Sequence, residues 1–518
     1  MKASSMIRSI YLIPLVVGLL GCTPSSISTP TIGGGQLQQV PIPSKWAGAI
    51  THPDGMTESA ILEFTEAGGT FNIQPKTKTF KIEEVEHADA MISFKVAGEN
   101  EMHFSGSFDG SEITGTVEDD GKTDSFILLP ILPESSETLN AFSGTYQFES
   151  GESVLINLAP EYDSSGLYFF GQGLMVTHFG TGAIRALYPV AKDSYLVGSA
   201  RAIGYPFVEQ ITFQRDSKGN VNGLVWQTRD PISGELGDEQ QATRLALKSE
   251  IVHFTSEDGT TLTGLLTLPA TSVPYPAVML LHGSEPGTRD NFGSQQMSAF
   301  MASQGIAILT YDKRGVGDSE GQYVESATEA NLTRTAQDAI AGVEYLKNRP
   351  EIIGNKIGLV GSSQAGWVIP LAASLSNDIS YFIILSGPVT SVGHEDIYSE
   401  YTNDGETPRN YSQDEISSTL ASVPHSGFDS TPYIAKLNQP GLWIWGDQDK
   451  SQPFFEGVTN LQEIIGQGKS NFSYSVLTNA DHNLQQTTQG LFNEIPSSPG
   501  YHKDFFKIMI EWLDENIK

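Results

Sequence analysis

Ile357-Gly358-Leu359-Val360-Gly361-Ser362-Ser363-Gln364-Ala365-Gly366-Trp367-Val368-Ile369-Pro370-Leu371-Ala372-Ala373 organises the rest of the chain. The first four residues are apolar or small and read as a buried strand. The last seven read as a buried helix. Between them lies a very tight turn that leaves a serine hydroxyl exposed at the end of the strand. Such a turn is crowded, so the residues two before and two after the exposed serine must be small. For Ser363 they are Gly361 and Ala365; for Ser362 they would be Val360 and Gln364. Ser363 is therefore the expected nucleophile. The position two beyond it is Ala rather than Gly, and Gly366 stands just behind.

Outward from this turn the pattern is consistent. Ile251–Phe254 and Leu262–Leu268 flank Asp258-Gly259 and predict a hairpin. Apolar strands are expected at 277–281, 307–311, 357–360, 381–385, 442–445 and 474–477, with helices at 328–346 and 503–517. Strands that are apolar throughout and alternate with helices predict a mainly parallel sheet covered on both faces. Residues 391–433 interrupt the alternation. They are polar and partly helical, which fits a cap over the carboxyl edge of the sheet.

A serine hydroxyl is a weak nucleophile at neutral pH and needs a base, which in turn needs an orienting group. Downstream of Ser363 the candidates lie in loops that leave late strands. Gly446-Asp447-Gln448-Asp449 follows one and Thr478-Asn479-Ala480-Asp481-His482 another. In a Gly-x-x-Asp pattern the acid falls at Asp449, which is favoured over Asp447. His482 is favoured as base, because His425 lies in the cap and His502 begins the last helix. Asp481 reads as a residue that shapes the loop. The oxyanion of a tetrahedral intermediate needs preorganised N–H donors. The amides of Gln364 and Ser284 are the expected pair, with His282 supporting the loop through its ring.

His282-Gly283-Ser284, Asp312-Lys313-Arg314-Gly315-Val316-Gly317-Asp318-Ser319, Gly361–Gly366, Gly446–Asp449 and His482 together resemble the serine α/β-hydrolase superfamily. The likeness is to its bacterial esterase and serine aminopeptidase-like branch, and it covers about Glu250 to Lys518. It implies an α/β-hydrolase domain at 249–518 and cleavage of an acyl bond by a Ser363, Asp449 and His482 triad without a cofactor. The Asp312–Ser319 motif reads as a structural loop after a strand. Dienelactone-hydrolase relatives use a cysteine nucleophile, and this chain has none at the Gly361–Gly366 turn. No metal is expected: there is no His-Glu-x-x-His, and Asp447-Gln448-Asp449 lacks the Gly and Glu of a calcium loop.

Upstream, residues 44–135 and 136–248 predict two small β-rich domains, the first a barrel or sandwich. Asp54-Gly55, Asp109-Gly110 and Asp120-Gly121 mark turns in the first. Phe142-Ser143-Gly144-Thr145-Tyr146 is similar to Trp46-Ala47-Gly48-Ala49-Ile50, too briefly to establish a repeat. His52, His87, His103 and His178 are scattered singly and read as surface or core histidines.

Thirty Lys plus Arg against 61 Asp plus Glu give a net charge of −31, which argues against a nucleic-acid partner. The one cysteine, Cys22, excludes an intramolecular disulfide and a thiolate metal cluster. Lys2 and Arg8 precede an apolar run over Ser9–Leu20, as in a secretory signal. Leu19-Leu20-Gly21-Cys22 resembles the lipobox of bacterial lipoproteins. That resemblance implies a signal peptide at 1–22, lipidation of Cys22 and anchoring to the membrane of a bacterial cell envelope. Residues 23–43, rich in Ser, Thr, Pro and Gly, read as a flexible tether. The expected function is hydrolysis of a small-molecule carboxylic ester. The alternatives are a serine peptidase acting on short peptides and a surface binding lipoprotein with an inactive hydrolase-like domain. Oligomeric state is left open.

Overall fold

The computed structural model describes residues 43–518 apart from 66–67, 75–78, 89, 99–100, 160–172, 200–203 and 470. The expected signal peptide, Cys22 and nearly all of the expected tether lie outside the described residues. Eight strands form a first barrel: β1 (Lys45–Thr51), β2 (Thr57–Thr65), β3 (Gly68–Gln74), β4 (Thr79–Ala88), β5 (Met91–Ala97), β6 (Met102–Phe108), β7 (Ile113–Asp119) and β8 (Lys122–Pro130). Each pairs with the next, and β8 closes on β1 in antiparallel register, Ala49 opposite Ile127. Closure leaves no free sheet edge. In β6, Met102, Phe104, Gly106 and Phe108 point inward while His103, Ser105 and Ser107 face out. Phe94 and Phe104 stack inside at 4.6 Å.

Helix α1 (Ser136–Phe142) leads into a second closed barrel. Its strands are β9 (Gly144–Phe148), β10 (Ser153–Leu158), β11 (Leu174–His178), β12 (Ile184–Ala191), β13 (Ser194–Gly198), β14 (Glu209–Arg215), β15 (Val221–Thr228) and β16 (Gln240–Arg244). β16 returns to β9, Thr243 opposite Gln147. Ala47 and Ile61 of the first barrel share a buried cluster with Met175, Tyr188 and Phe207 of the second.

The C-terminal domain has an eight-stranded sheet: β17 (Lys248–Thr255), β18 (Thr261–Leu268), β19 (Tyr275–Leu281), β20 (Ala307–Tyr311), β21 (Ile352–Ser362), β22 (Tyr381–Leu385), β23 (Gly441–Gly446) and β24 (Phe472–Leu477). Their order is β17-β18-β20-β19-β21-β22-β23-β24, and β18 is antiparallel to both its neighbours. The remaining pairs are parallel. Helices α2 (Phe292–Ser303), α3 (Glu329–Lys347) and α4 (Ala365–Leu375) follow β19, β20 and β21. Successive side chains of a strand face opposite ways. Ala277, Met279 and Leu281 therefore enter one core, with Leu332 and Val343 of α3 and Val368 of α4. Val278 and Leu280 enter the other, with Phe300 of α2. This is the α/β-hydrolase fold, with two β-barrels before it.

Between β22 and β23 the chain forms the cap: α5 (Val392–Thr402), α6 (Gln413–Ser422) and the short α7 (Thr431–Ile434). Helices α8 (Phe454–Gly466) and α9 (Phe505–Asn516) complete the domain. Phe179, just past β11, packs on Phe300 of α2 at 5.5 Å and on Phe506 of α9 at 4.9 Å. The second barrel is thus seated on one helical face of the sheet. Among the described residues, no helix is long and apolar enough to cross a membrane.

Candidate active site

β21 delivers Ser363 in a left-handed conformation, φ 55°, although it is not glycine. A non-glycine residue held there costs about 1–3 kcal/mol and persists only where its surroundings enforce it. Two bonds do so: Ser363 N–H donates to Leu385 O at 3.0 Å, and Gly366 N–H donates to Ser363 O at 2.8 Å. The crowding inferred from the sequence is present. A Cβ on Gly361 would lie 2.6 Å from Ala365 Cβ, and one on Gly366 would lie 2.6 Å from the Pro388 ring. Ser362 instead ends the strand, paired with Leu385.

β23 and β24 run parallel to β21, so the loops leaving them emerge at the same sheet edge as the Ser363 turn. The β23 loop carries Asp449, which is fully buried. Its Oδ1 accepts N–H bonds from Ser451 at 2.8 Å and Gln452 at 2.9 Å. Its Oδ2 lies 2.8 Å from His482 Nδ1. Both carboxylate oxygens are thus used, and the imidazole is oriented. Burial opposes charge on His482, but the Asp449, Asp481 and Glu395 carboxylates outweigh it and raise the ring to about 9. Asp481 accepts from the amides of Asn483 at 2.8 Å and Gln485 at 2.9 Å, turning the loop that presents His482.

Other candidates lie elsewhere. Asp447 accepts from the Asn479 amide at 2.7 Å and ties the β23 loop to the β24 loop. His425 meets Ser391 Oγ at 3.0 Å and stacks on His394 within the cap. His502 accepts from the Asp504 amide at 3.2 Å, ahead of α9.

The two amides expected as oxyanion donors lie on two loops. Gln364 stands at the N-cap of α4, where N–H groups have no intrahelical acceptor and the helix dipole favours negative charge. Gly283 faces Ser363: a Cβ there would sit 3.2 Å from Ser363 Cβ. Lys313 Nζ donates to Gly283 O at 2.7 Å. In a trans peptide the C=O and the following N–H point opposite ways. Lys313 therefore aims the Ser284 N–H away from itself. The Tyr323 hydroxyl donates to Ser284 O, fixing the next peptide. His282 holds the loop root through Nε2 to Tyr311 O at 2.6 Å. The Asp312–Ser319 loop is closed around Asp312, which accepts from the amides of Arg289 at 2.8 Å and Asp318 at 2.9 Å.

Lys313 is 5% exposed, and burial pulls its ammonium down to about 8. A buried lysine spent on one carbonyl implies that the orientation of that peptide matters. Lys313→Met keeps the volume and removes the donor. It is expected to lower kcat roughly tenfold with little change in KM, a fraction of the loss on deleting an oxyanion donor. Unchanged kcat would remove Lys313 from this role.

The cap supplies contacts that no local pattern marked. Tyr398 OH donates to Asp449 O at 2.6 Å, and Thr402 Oγ1 to Lys450 O at 2.5 Å, so α5 clips the acid loop. Glu395 of the same helix lies close enough to His482 to influence its charge. Burial, with Asp396 and Asp404 nearby, raises the Glu395 carboxyl to about 8. Among the described residues, one group has the composition of a metal site: His394, His425 and Glu456. The two rings stack at 3.9 Å, inclined by 20°, so their planes cannot share an in-plane ion in this arrangement.

Residues 292–518 match the model of the prolyl oligopeptidase family, Peptidase_S9. Esterase EstD of Thermotoga maritima is 28% identical over 169 residues, 31% of this chain and 37% of that protein. Dipeptidyl aminopeptidase BIII of Pseudoxanthomonas mexicana is 25% identical over 125 residues, 22% of this chain and 18% of that protein. The mitochondrial acyl-coenzyme A thioesterase 2 of Mus musculus is 27% identical over 139 residues, covering 26% and 27%. The chain spans about a third or less of the length of these relatives. Among solved structures, Pyrococcus furiosus esterase Pf2001 aligns with a TM-score of 0.38 at 22% identity, over 53% of this chain and 92% of that one. The family-model match and the sequence relatives support the serine α/β-hydrolase superfamily for the C-terminal domain.

Proposed function

We propose that the protein hydrolyses carboxylic esters through an acyl-enzyme on Ser363. The observation that carries this reading is the Asp449–His482 pair at 2.8 Å, at the sheet edge where Ser363 is held in a strained turn. Ser363 Oγ attacks the ester carbonyl as its proton passes to His482 Nε2. The oxyanion is received by the N–H groups of Gln364 and Ser284. The C–O bond to the alcohol breaks as His482 returns the proton to the leaving oxygen. Water then attacks the acyl-enzyme by the same route and releases the acid.

The acidic side chains of α5 favour a second reading. Glu395 and Asp396 could pair the terminal ammonium of a short peptide, which would make the protein an aminopeptidase. Short p-nitrophenyl esters compared with aminoacyl-anilides separate the two. Ester turnover at least about a hundredfold faster, a gap of about 2.7 kcal/mol in transition-state binding, is the expected result. Faster anilide turnover would overturn it. Inertness to both, with no labelling by a fluorophosphonate, would leave a non-catalytic binding protein.

A further inference from the structure

A cavity of about 390 Å³ lies where the mouth of the second barrel meets the catalytic domain. None of Ser363, Asp449 and His482 lines it. An eight-stranded barrel has room inside for packed side chains or one small ligand. Here the deeper interior is filled by Tyr146, Leu174, Tyr195 and Phe213. The cavity occupies the mouth, walled by the rings of Phe148, Tyr205, Trp226 and Tyr501.

Arg185, near the start of β12, is the cation in this wall. Its Nη1 donates to the carbonyls of Ile184 at 2.8 Å and Pro499 at 2.6 Å, and its guanidinium lies 4.2 Å over the Tyr205 ring. Its Nε is buried without a hydrogen-bond partner, and among the described residues Arg185 forms no ion pair. Burial pulls its pKa below the usual value, and Tyr205 and the Glu209 carboxylate across the cavity offset this only in part. With Nη1 bonded to the two carbonyls and Nε closed off, Nη2 is the arm of the guanidinium fork left to donate to a carboxylate.

The neighbours narrow the ligand. Glu209 lines the same cavity, held by Tyr205 OH at 2.9 Å. Its negative charge disfavours dianions such as phosphate. Burial lowers the His178 pKa, so the ring stays neutral, and it stacks on Phe148 at 5.9 Å as part of the flat wall. We propose that this cavity is a second ligand site, taking a monocarboxylate carried on an aromatic or flat apolar body. Gln486 also lines it, four residues beyond His482, with its N–H bonded to Gly500 O at 2.9 Å. The proposal does not depend on the reaction at Ser363.

Titration calorimetry on the whole protein tests it, with benzoate, its neutral isostere benzamide and inorganic phosphate as probes. Benzoate is expected to bind saturably, one per chain, at least tenfold more tightly than benzamide or phosphate. Arg185→Lys keeps the charge and loses the fork, and should weaken benzoate at least tenfold at an unchanged melting temperature. Tyr205→Leu, which removes the ring beneath the guanidinium, should weaken it as well. If the Arg185 variant does not fold, the benzoate-to-benzamide ratio and the Tyr205 variant decide. Absence of saturable benzoate binding, equal binding of benzamide, preference for phosphate, or affinity untouched by both substitutions would overturn the proposal.

Discussion

Ser363→Ala is expected to lower kcat against a short p-nitrophenyl ester by about 10⁴ to 10⁶, leaving only what the oxyanion donors and binding supply. Ser362→Ala should stay within about tenfold of wild type, because that side chain does not lie on the strained turn. The two serines are adjacent, yet only Ser363 has φ 55° and faces Gly283 across the cleft. Ser362 belongs to β21. Alanine suits the turn no worse than serine, so the melting temperature of Ser363→Ala should match wild type. The reverse pattern of kcat losses would move the nucleophile to Ser362 and discard the turn assignment.

Asp449→Asn should lower kcat by about 10⁴ through the tautomer of His482. The amide N–H groups of Ser451 and Gln452 both claim one side-chain oxygen at position 449. An asparagine has one oxygen, so its NH₂ must face His482 Nδ1 and donate to it. His482 then carries its proton on Nε2 and cannot accept one from Ser363. The pH profile gives an independent reading. Catalysis needs neutral His482, and the nearby carboxylates raise its pKa to about 9 against the opposing effect of burial. The rising limb of kcat/KM should therefore lie on the alkaline side of the ordinary histidine value, and move to lower pH in Asp449→Asn. The stabilising effect of the protonated ring has the matching sign. It is fully present below the unfolded pKa and is lost as pH rises through about 9. Asp447→Asn should cost less than about tenfold, since Asp447 bonds the Asn479 amide rather than His482. Equal losses at the two positions would refute the distinction between them.

Much of the catalytic domain was legible because its signals are local. Ala277–Leu281 is apolar throughout, as a strand buried on both faces must be, and its residues do alternate between two cores. The strand–turn–helix around Ser363 is written in residue size over a few positions. The loops with Asp449 and His482 could be placed because each leaves a late strand, fully buried in β23 and only part-buried in β24. The first barrel was less legible. β3, Gly68–Gln74, carries a weak local signal: it opens with two glycines and offers only Phe71 and Ile73 to the core. Without it the strands could be read as a sandwich or a barrel, and only the β8-to-β1 pairing decides for a barrel.

The sequence by itself determined the two-faced sheet and the candidate order Ser363, Asp449, His482 on the loops that leave it, because periodicity and turn size act over a few neighbouring residues. Tertiary structure alone decided that Lys313 and Tyr323 grip the peptides flanking Ser284, that Tyr398 and Glu395 reach the loops carrying Asp449 and His482, and that Arg185 lines a cavity with its Nε unpartnered. These contacts join residues far apart in the chain through side chains and backbone carbonyls. Such pairings follow from where loops converge once the sheet has formed, and they leave no periodic trace in the sequence.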